Sequence, residues 1–302
     1  MPTWKQIQDE VSKVEDDAKK AFDLVRKKYL KRLHQKTKRN VIAYYSGWLT
    51  HQAPNLTLIT DEDKNAFMMC VHGLDCNIGL DLILHTPGGD IAATHSLIDY
   101  LRRKFGKNIR AIVPQIAMSA GTIMACCCNS ILMARHSNLG PIDPLVDSKP
   151  AFGVISEFKR AYQEVTSKPE TARIWQFIIG QYPPAFLGRC QNAIDWSNAF
   201  VEEQLRTVMF DGRSDAAQAA KTIVASLSDH DTNKTHSKHL HLDECLSLGL
   251  NIEKIEDDAE LQDLILTVHH CYMHVTQNRG VVKAIENHKG VGMFKRLAIK
   301  PA

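Results

Sequence analysis

Apolar positions follow different rhythms along the chain. Over residues 3 to about 36 they fall in steps of four and three, at Ile7, Val11, Val14, Ala18, Ala21 and Val25. This a/d seam predicts one long helix, packed in a coiled coil or along a neighbouring surface. After Asn40 the seam gives way to short apolar runs at 41–45, 80–85, 109–113 and 131–134. Such runs, bounded by turn signals, read as buried strands. Helical stretches lie between them at 61–71, 91–105 and 119–128. Alternating strands and helices predict crossover units and a mostly parallel sheet, so the fold class is α/β.

From about Phe152 the pattern turns helical. Residues 155–165, 171–179, 185–209 and 215–227 are helix candidates and form an insert at about 152–228. A histidine-rich loop spans 229–241, and a short helix over 242–248 stops at Gly249. A strand is expected over 251–255 and a helix over 258–275, followed by a polar, basic tail. Three segments result: a basic N-terminal helix (1–39), an α/β domain carrying the insert (40–256), and a C-terminal helix with its tail (257–302).

Composition narrows the function classes. The 302 residues carry 37 Lys and Arg against 34 Asp and Glu, a net charge of +3, and 44% are hydrophobic. That balance excludes wholesale disorder and argues against nucleic acid as the first partner. No apolar run is long enough to span a membrane, and the opening Met-Pro-Thr-Trp-Lys-Gln has no apolar signal core. A cytoplasmic location is therefore expected. Between Leu24 and Arg39 stand eight basic residues and no acidic one. They suit a solvated face on an oligomerisation helix, or contact with an acidic partner, an anionic membrane surface or nucleic acid. The eight cysteines contain no CxxC pair and read as reduced, mostly buried thiols. Cys126–Cys128 are consecutive, and adjacent helix residues point about 100° apart, too divergent for one metal ion.

Two segments carry chemistry. Leu84-His85-Thr86-Pro87-Gly88-Gly89-Asp90 is a strand end running into a glycine pair and a helix start. Its backbone can approach a ligand closely, with N–H groups available to an anion. Ala117-Met118-Ser119-Ala120-Gly121-Thr122 places a serine at the first turn of a helix of small residues. A hydroxyl there is a cap or a nucleophile. Both segments sit at C-terminal ends of neighbouring strands, where open α/β sheets place their sites.

Together with Ser137-Asn138-Leu139-Gly140-Pro141-Ile142-Asp143-Pro144, these motifs resemble the Clp protease/crotonase superfold. The chain looks most like its serine dehydrogenase proteinase branch, related to signal peptide peptidase A. Lys234-Thr235-His236-Ser237 and Leu248-Gly249-Leu250-Asn251 are similar to that branch as well. The resemblance covers about residues 40–256. It implies a ββα superhelix and a serine peptidase with Ser119 as nucleophile. The oxyanion hole would comprise the N–H groups of Gly88, Gly89 and Ala120. It further implies no cofactor, a peptide or protein substrate bound extended beside the glycine turn, and a homo-oligomer. Clp-type enzymes place a histidine where this chain has Asp143, and an acid near its His236. The exchange suggests Ser119–His236–Asp143, since a triad is defined by geometry rather than chain order.

Rival readings stand beside this one. Asp143 suits a turn cap, and His236 suits a solvated loop. His136 is an alternative base, and Lys159 or Lys168 would make a Ser–Lys dyad. The clustered histidines lack the His-Glu-x-x-His pattern, so metal binding is the weaker reading. Outside peptidases, the same glycine turn serves acyl-CoA hydrolases and isomerases, and a non-catalytic scaffold would use the fold for assembly alone.

Overall fold

A computed structural model describes residues 4–13, 18–228, 235–278 and 280–297. Helices α1 (Trp4–Ser12) and α2 (Ala18–Thr37) lead into strand β1 (Asn40–Ser46). Next come α3 (Pro54–Thr57), α4 (Asp63–Val71), β2 (Leu80–His85), α5 (Ile91–Phe105) and β3 (Ile109–Val113). Strand β4 (Ile116–Ala117), α6 (Ala120–Cys126), β5 (Ser130–Met133) and β6 (Asn138–Leu139) follow. The hairpin β7 (Leu145–Val146) and β8 (Lys149–Pro150) opens the insert. The insert consists of α7 (Ala151–Ser167), α8 (Ala172–Ile179), α9 (Phe186–Gln204) and α10 (Ala216–Ser228). The chain closes with β9 (Leu240–His241), α11 (Leu242–Ser247), β10 (Ile252–Lys254), α12 (Ala259–Asn278), β11 (Val281–Asn287) and β12 (Gly292–Arg296).

Seven strands form the central sheet in the order β10-β5-β3-β2-β1-β11-β12. The first five are mutually parallel, and β11 and β12 are added antiparallel at one edge. Alternation along each strand divides the core. Ile42, Tyr44, Leu82, Leu84, Ala111 and Val113 face a front layer of α4, α5, α6, α9 and α10. Val41, Ala43, Tyr45, Ile83 and Ile112 face a rear layer of α1, α2 and α12. Burying each large apolar side chain contributes about 1.5–3 kcal/mol. With both faces covered, the parallel strands are nearly continuous hydrophobic runs, which is why they are legible in the sequence.

Two expectations are corrected. The stretch expected as one helix over 3–36 is two helices lying against each other. Glu10 on α1 accepts from Lys28 Nζ at 2.6 Å and from Tyr29 O–H at 2.8 Å on α2. Folding back lets the seam bury itself within one chain: Ile7, Val11, Ala21 and Val25 are all buried in the rear core. Val14 and the Ala18 side chain lie outside the described residues. The basic stretch is likewise partly internal. Arg26 pairs with Glu286, Lys28 with Glu10, Lys36 with Asp258 and Glu260, and Arg39 with Asp81.

The second correction concerns the C-terminal tail, which among the described residues carries two strands. Val281–Asn287 is buried throughout and pairs with β1, and β12 covers its outer edge. Its polar appearance comes from charges neutralised inside the fold. Lys283 meets Asp63 on the front face, and Glu286 meets Arg26 on the rear face.

The insert has its own small core of Val146, Ala151, Val154, Phe186, Cys190 and Ile194. All eight cysteines are free, and Cys126–Cys128 are buried. Burial pushes the Cys128 thiol up to about 12. Among the described residues, no helix is long and apolar enough to cross a membrane.

Candidate active site

A second, three-stranded sheet in the order β4-β6-β9 gathers the candidate residues. Strand β4 runs parallel to β6, and β6 antiparallel to β9, with Ala117, Leu139 and Leu240 in register. Ser119 follows Ala117 by two residues, Asp143 follows Leu139 by four, and His236 precedes Leu240 by four. The strand directions therefore send all three beyond the same end of this sheet. The helical insert leaves just after Asp143 and returns just before His236. Ile142 N–H donates to Leu227 O at 3.0 Å, tying the two stems of the insert together.

His236 Nδ1 lies 2.7 Å from Asp143 Oδ1. The carboxyl is 2% exposed and the imidazole 20%, so the acid is enclosed while the ring reaches solvent. A buried carboxylate on one ring nitrogen fixes the tautomer with N–H on Nδ1 and leaves Nε2 as the basic atom. Nε2 makes no hydrogen bond among the described residues.

Ser119 sits in a strained backbone, with φ 52 and ψ −119, between β4 and α6. Such a conformation in a non-glycine residue costs about 1–3 kcal/mol and persists only where the surroundings enforce it. A serine on a strained strand-to-helix turn is the geometry of a nucleophile elbow. The cap reading fares poorly: Ser119 makes no side-chain cap bond to α6. Its hydroxyl makes no hydrogen bond among the described residues, His236 included.

The Gly88-Gly89 turn packs directly on this serine. A Cβ built on Gly88 would come within 2.8 Å of both Met118 O and Ser119 Cβ. On Gly89 it would come within 2.2 Å of Ile59 N. Their φ angles of 101 and 158 also favour glycine. The three expected oxyanion donors are not equivalent. Gly88 N–H donates to Thr86 Oγ1 at 3.1 Å. The N–H groups of Gly89 and Ala120 donate to nothing among the described residues.

Further residues, with weaker marks in the sequence, hold these loops. Thr122 Oγ1 donates to Ala117 O at 2.8 Å and accepts from Gly140 N–H at 2.9 Å, linking the serine strand to the Asp143 loop. Only its place three residues after Ser119, among small residues, marks it in the sequence. His85, buried behind the turn, contacts Ser46 O through Nδ1 at 3.1 Å and the Gln115 side chain through Nε2 at 3.0 Å. Burial holds its pKa down at about 4, so it stands neutral near pH 7.

The rival bases are elsewhere in character. Lys159 and Lys168 lie on the insert, Lys159 beside Phe158 and Tyr162 on an outer groove. His136 is exposed. None makes a hydrogen bond to Ser119.

Comparison with known proteins bears on the family of the chain. Two uncharacterized proteins of Methanocaldococcus jannaschii are similar to the chain. One is 25% identical over 272 residues, covering 87% of this chain and 84% of that protein. The other is 27% identical over 185 residues, covering 61% of this chain and 58% of the relative. The family model described as ClpP-like SDH-type serine proteinase matches residues 15–176, more than half of the chain. The match includes the glycine turn, Ser119 and Asp143 and stops short of His236. On that match, the chain belongs to the ClpP-like SDH-type serine proteinase family.

Proposed function

We propose that this serine peptidase cleaves peptide bonds through an acyl-enzyme on Ser119, with His236 as general base and Asp143 as its orienting acid. The observation that carries the reading is the 2.7 Å His236–Asp143 bond, made across the two stems of the insert beyond the sheet end that also bears Ser119. A serine hydroxyl needs a base near neutral pH, and Nε2 is the basic atom left available. In the first step Ser119 Oγ forms a bond to the scissile carbonyl carbon and its proton passes to His236 Nε2. Collapse of the tetrahedral intermediate returns that proton to the leaving amine. Water, deprotonated by the same nitrogen, then attacks the acyl carbon; the bond to Ser119 Oγ breaks, and Nε2 returns the proton to that oxygen.

The oxyanion falls to Gly89 and Ala120, whose N–H groups have no other acceptor among the described residues, while Gly88 supplies close backbone approach. Each such donor is worth about 2.7–4 kcal/mol of barrier. Ile59 occupies one flank of Gly89, so an extended substrate lies along the other. Ser119 and His236 draw within hydrogen-bond distance when substrate closes the site, as catalytic pairs commonly do. Self-assembly belongs to the same reading.

A fluorophosphonate probe tests it. It should label Ser119 in the intact chain, and labelling should vanish in Ser119→Ala and fall by at least about 10³-fold in His236→Gln. Lys159→Met and Lys168→Met should label at the parental rate. Loss of labelling in either lysine variant, with His236→Gln unaffected, would establish a Ser–Lys dyad instead. No labelling of the intact chain would leave the fold as a scaffold.

A further inference from the structure

The glycine turn is held from behind by a segment that is itself clamped. Ile59 N–H donates to Gly88 O at 2.9 Å, and Asp90 N–H donates to Ile59 O at 3.0 Å. Ile59 and Gly89 thus form a parallel bridge. Alternation in such a bridge turns the N–H of Gly89 away from Ile59. The residues flanking Ile59 are fixed by a buried ion pair. Lys283 Nζ donates to Leu58 O at 2.6 Å and reaches both oxygens of Asp63 at 2.8 Å. Asp63 Oδ2 accepts from Thr60 N–H at 3.1 Å and from Tyr44 O–H at 2.9 Å. Lys283 is 1% and Asp63 0% exposed. Lys295 stands nearby, 2.7 Å from Glu62 and 3.7 Å from Asp63. Leu58, Ile59 and Thr60 are therefore held one after another: by Lys283, by the glycine turn and by Asp63.

We infer that Lys283, on strand β11, is a positioning residue for the reaction: with Asp63 it sets the Leu58–Thr60 segment that fixes the oxyanion turn. The inference rests on the reading of Ser119 as nucleophile beside the Gly89 amide. Lys283 touches no reacting atom and lies outside the matched residues 15–176. A buried pair this complete restricts Ile59 to one place. The packing of Ile59 on Gly89 then passes that restriction to the donor. Small displacements there are costly, because a misplacement of about 1 Å can slow a reaction by about 10²-fold.

The test uses the full chain and the neutral replacement Lys283→Met/Asp63→Asn, which leaves no lone buried charge. Its control is Arg26→Met/Glu286→Gln, which neutralises an equally buried pair on the opposite face of the same strand. Tyr44→Phe, which removes one hydrogen bond to Asp63, is a milder second probe. Amide exchange of the peptides bearing Ile59 and Asp90 should speed in the Lys283/Asp63 variant and, less, in Tyr44→Phe. Fluorophosphonate labelling of Ser119 should slow by about 10- to 100-fold in the double variant, with the pH midpoint of labelling unmoved because the base is intact. The control pair should change neither. Unchanged exchange overturns the brace. Faster exchange with unchanged labelling, or equal slowing in the control, overturns its role in the reaction. An unlabelled parental chain would instead remove the Ser119 reading itself, and exchange would still decide the brace.

Discussion

Behind the central sheet, Arg26 and Glu286 satisfy each other, whereas at the strand ends Ser119, His236, Gly89 and Ala120 keep bonding capacity in reserve. Arg26 gives Nε to Glu286 at 2.6 Å, Nη2 to its other oxygen at 3.2 Å, and Nη1 to Asp23 at 2.6 Å. Tyr272 O–H adds a further bond to Glu286 at 2.9 Å. A buried charge left unpaired is expensive, and in this pair both charges are saturated. The strand-end groups are the opposite: a hydroxyl, a ring nitrogen and two amides without partners among the described residues, around a serine held in a strained conformation. Polarity and burial do not separate the two regions. Saturation does.

The sharpest way to break this contrast is Asp143→Asn. With His236 as the base, the carboxylate orients the imidazole without touching substrate. The carboxamide can present its N–H₂ to Nδ1 and favour the wrong tautomer, so labelling of Ser119 should drop by about 10⁴-fold while the fold is kept. Labelling kinetics and a thermal melt check the two halves. A melt that collapses along with activity would move Asp143 into the structural class with Glu286.

Next in size is Arg26→Met. It strands Glu286 in the rear core and should cost about 3–5 kcal/mol in urea unfolding, while Arg26→Met/Glu286→Gln should recover most of the loss. Labelling of Ser119 in the folded fraction should be unchanged for both. Equal stability of the single and double variants would mean that Glu286 finds another partner and that saturation is not what holds this region.

The same contrast explains what is legible in the sequence. Strands over 80–85 and 109–113 and the helix over 91–105 stand out because both faces of the parallel sheet are apolar. Ser119 and the glycine turn stand out because strained or close-packed backbone demands small residues in a fixed pattern. The pairing of His236 with Asp143 is legible only through family resemblance, since no periodicity relates residues on either side of a helical insert. Strand β11 is hidden: Lys283 and Glu286 give Val-Val-Lys-Ala-Ile-Glu-Asn a solvated look that only their partners Asp63 and Arg26, far away in the chain, can correct. The helix break near residue 13 is hidden for a related reason. An a/d seam says what must be buried but not against which neighbour.

His85 tests the contrast at the boundary between the regions, since it belongs to the glycine-turn motif yet has a polar partner at each ring nitrogen. Its pKa is lowered from 6.5 to about 4 by burial. In the unfolded chain the imidazole takes up a proton near pH 6.5, whereas in the fold it resists until about pH 4. Unfolding therefore binds a proton between those values. The stabilisation is complete above pH 6.5, declines as the pH falls, and is gone below about 4. The slope is about 1.4 kcal/mol per pH unit, or about 3 kcal/mol across the window. His288, also lowered to about 4, adds to the decline in the same interval. His85→Asn keeps an N–H donor for Ser46 O and cannot titrate. Its unfolding free energy should be lower at pH 7 but should fall less steeply between pH 6.5 and 4, by about one bound proton. Urea titrations at pH 7, 6, 5 and 4 on both chains read that difference. Equal slopes would mean that His85 already carries its charge in the fold, and the saturated side of the comparison would lose a member of the glycine-turn motif.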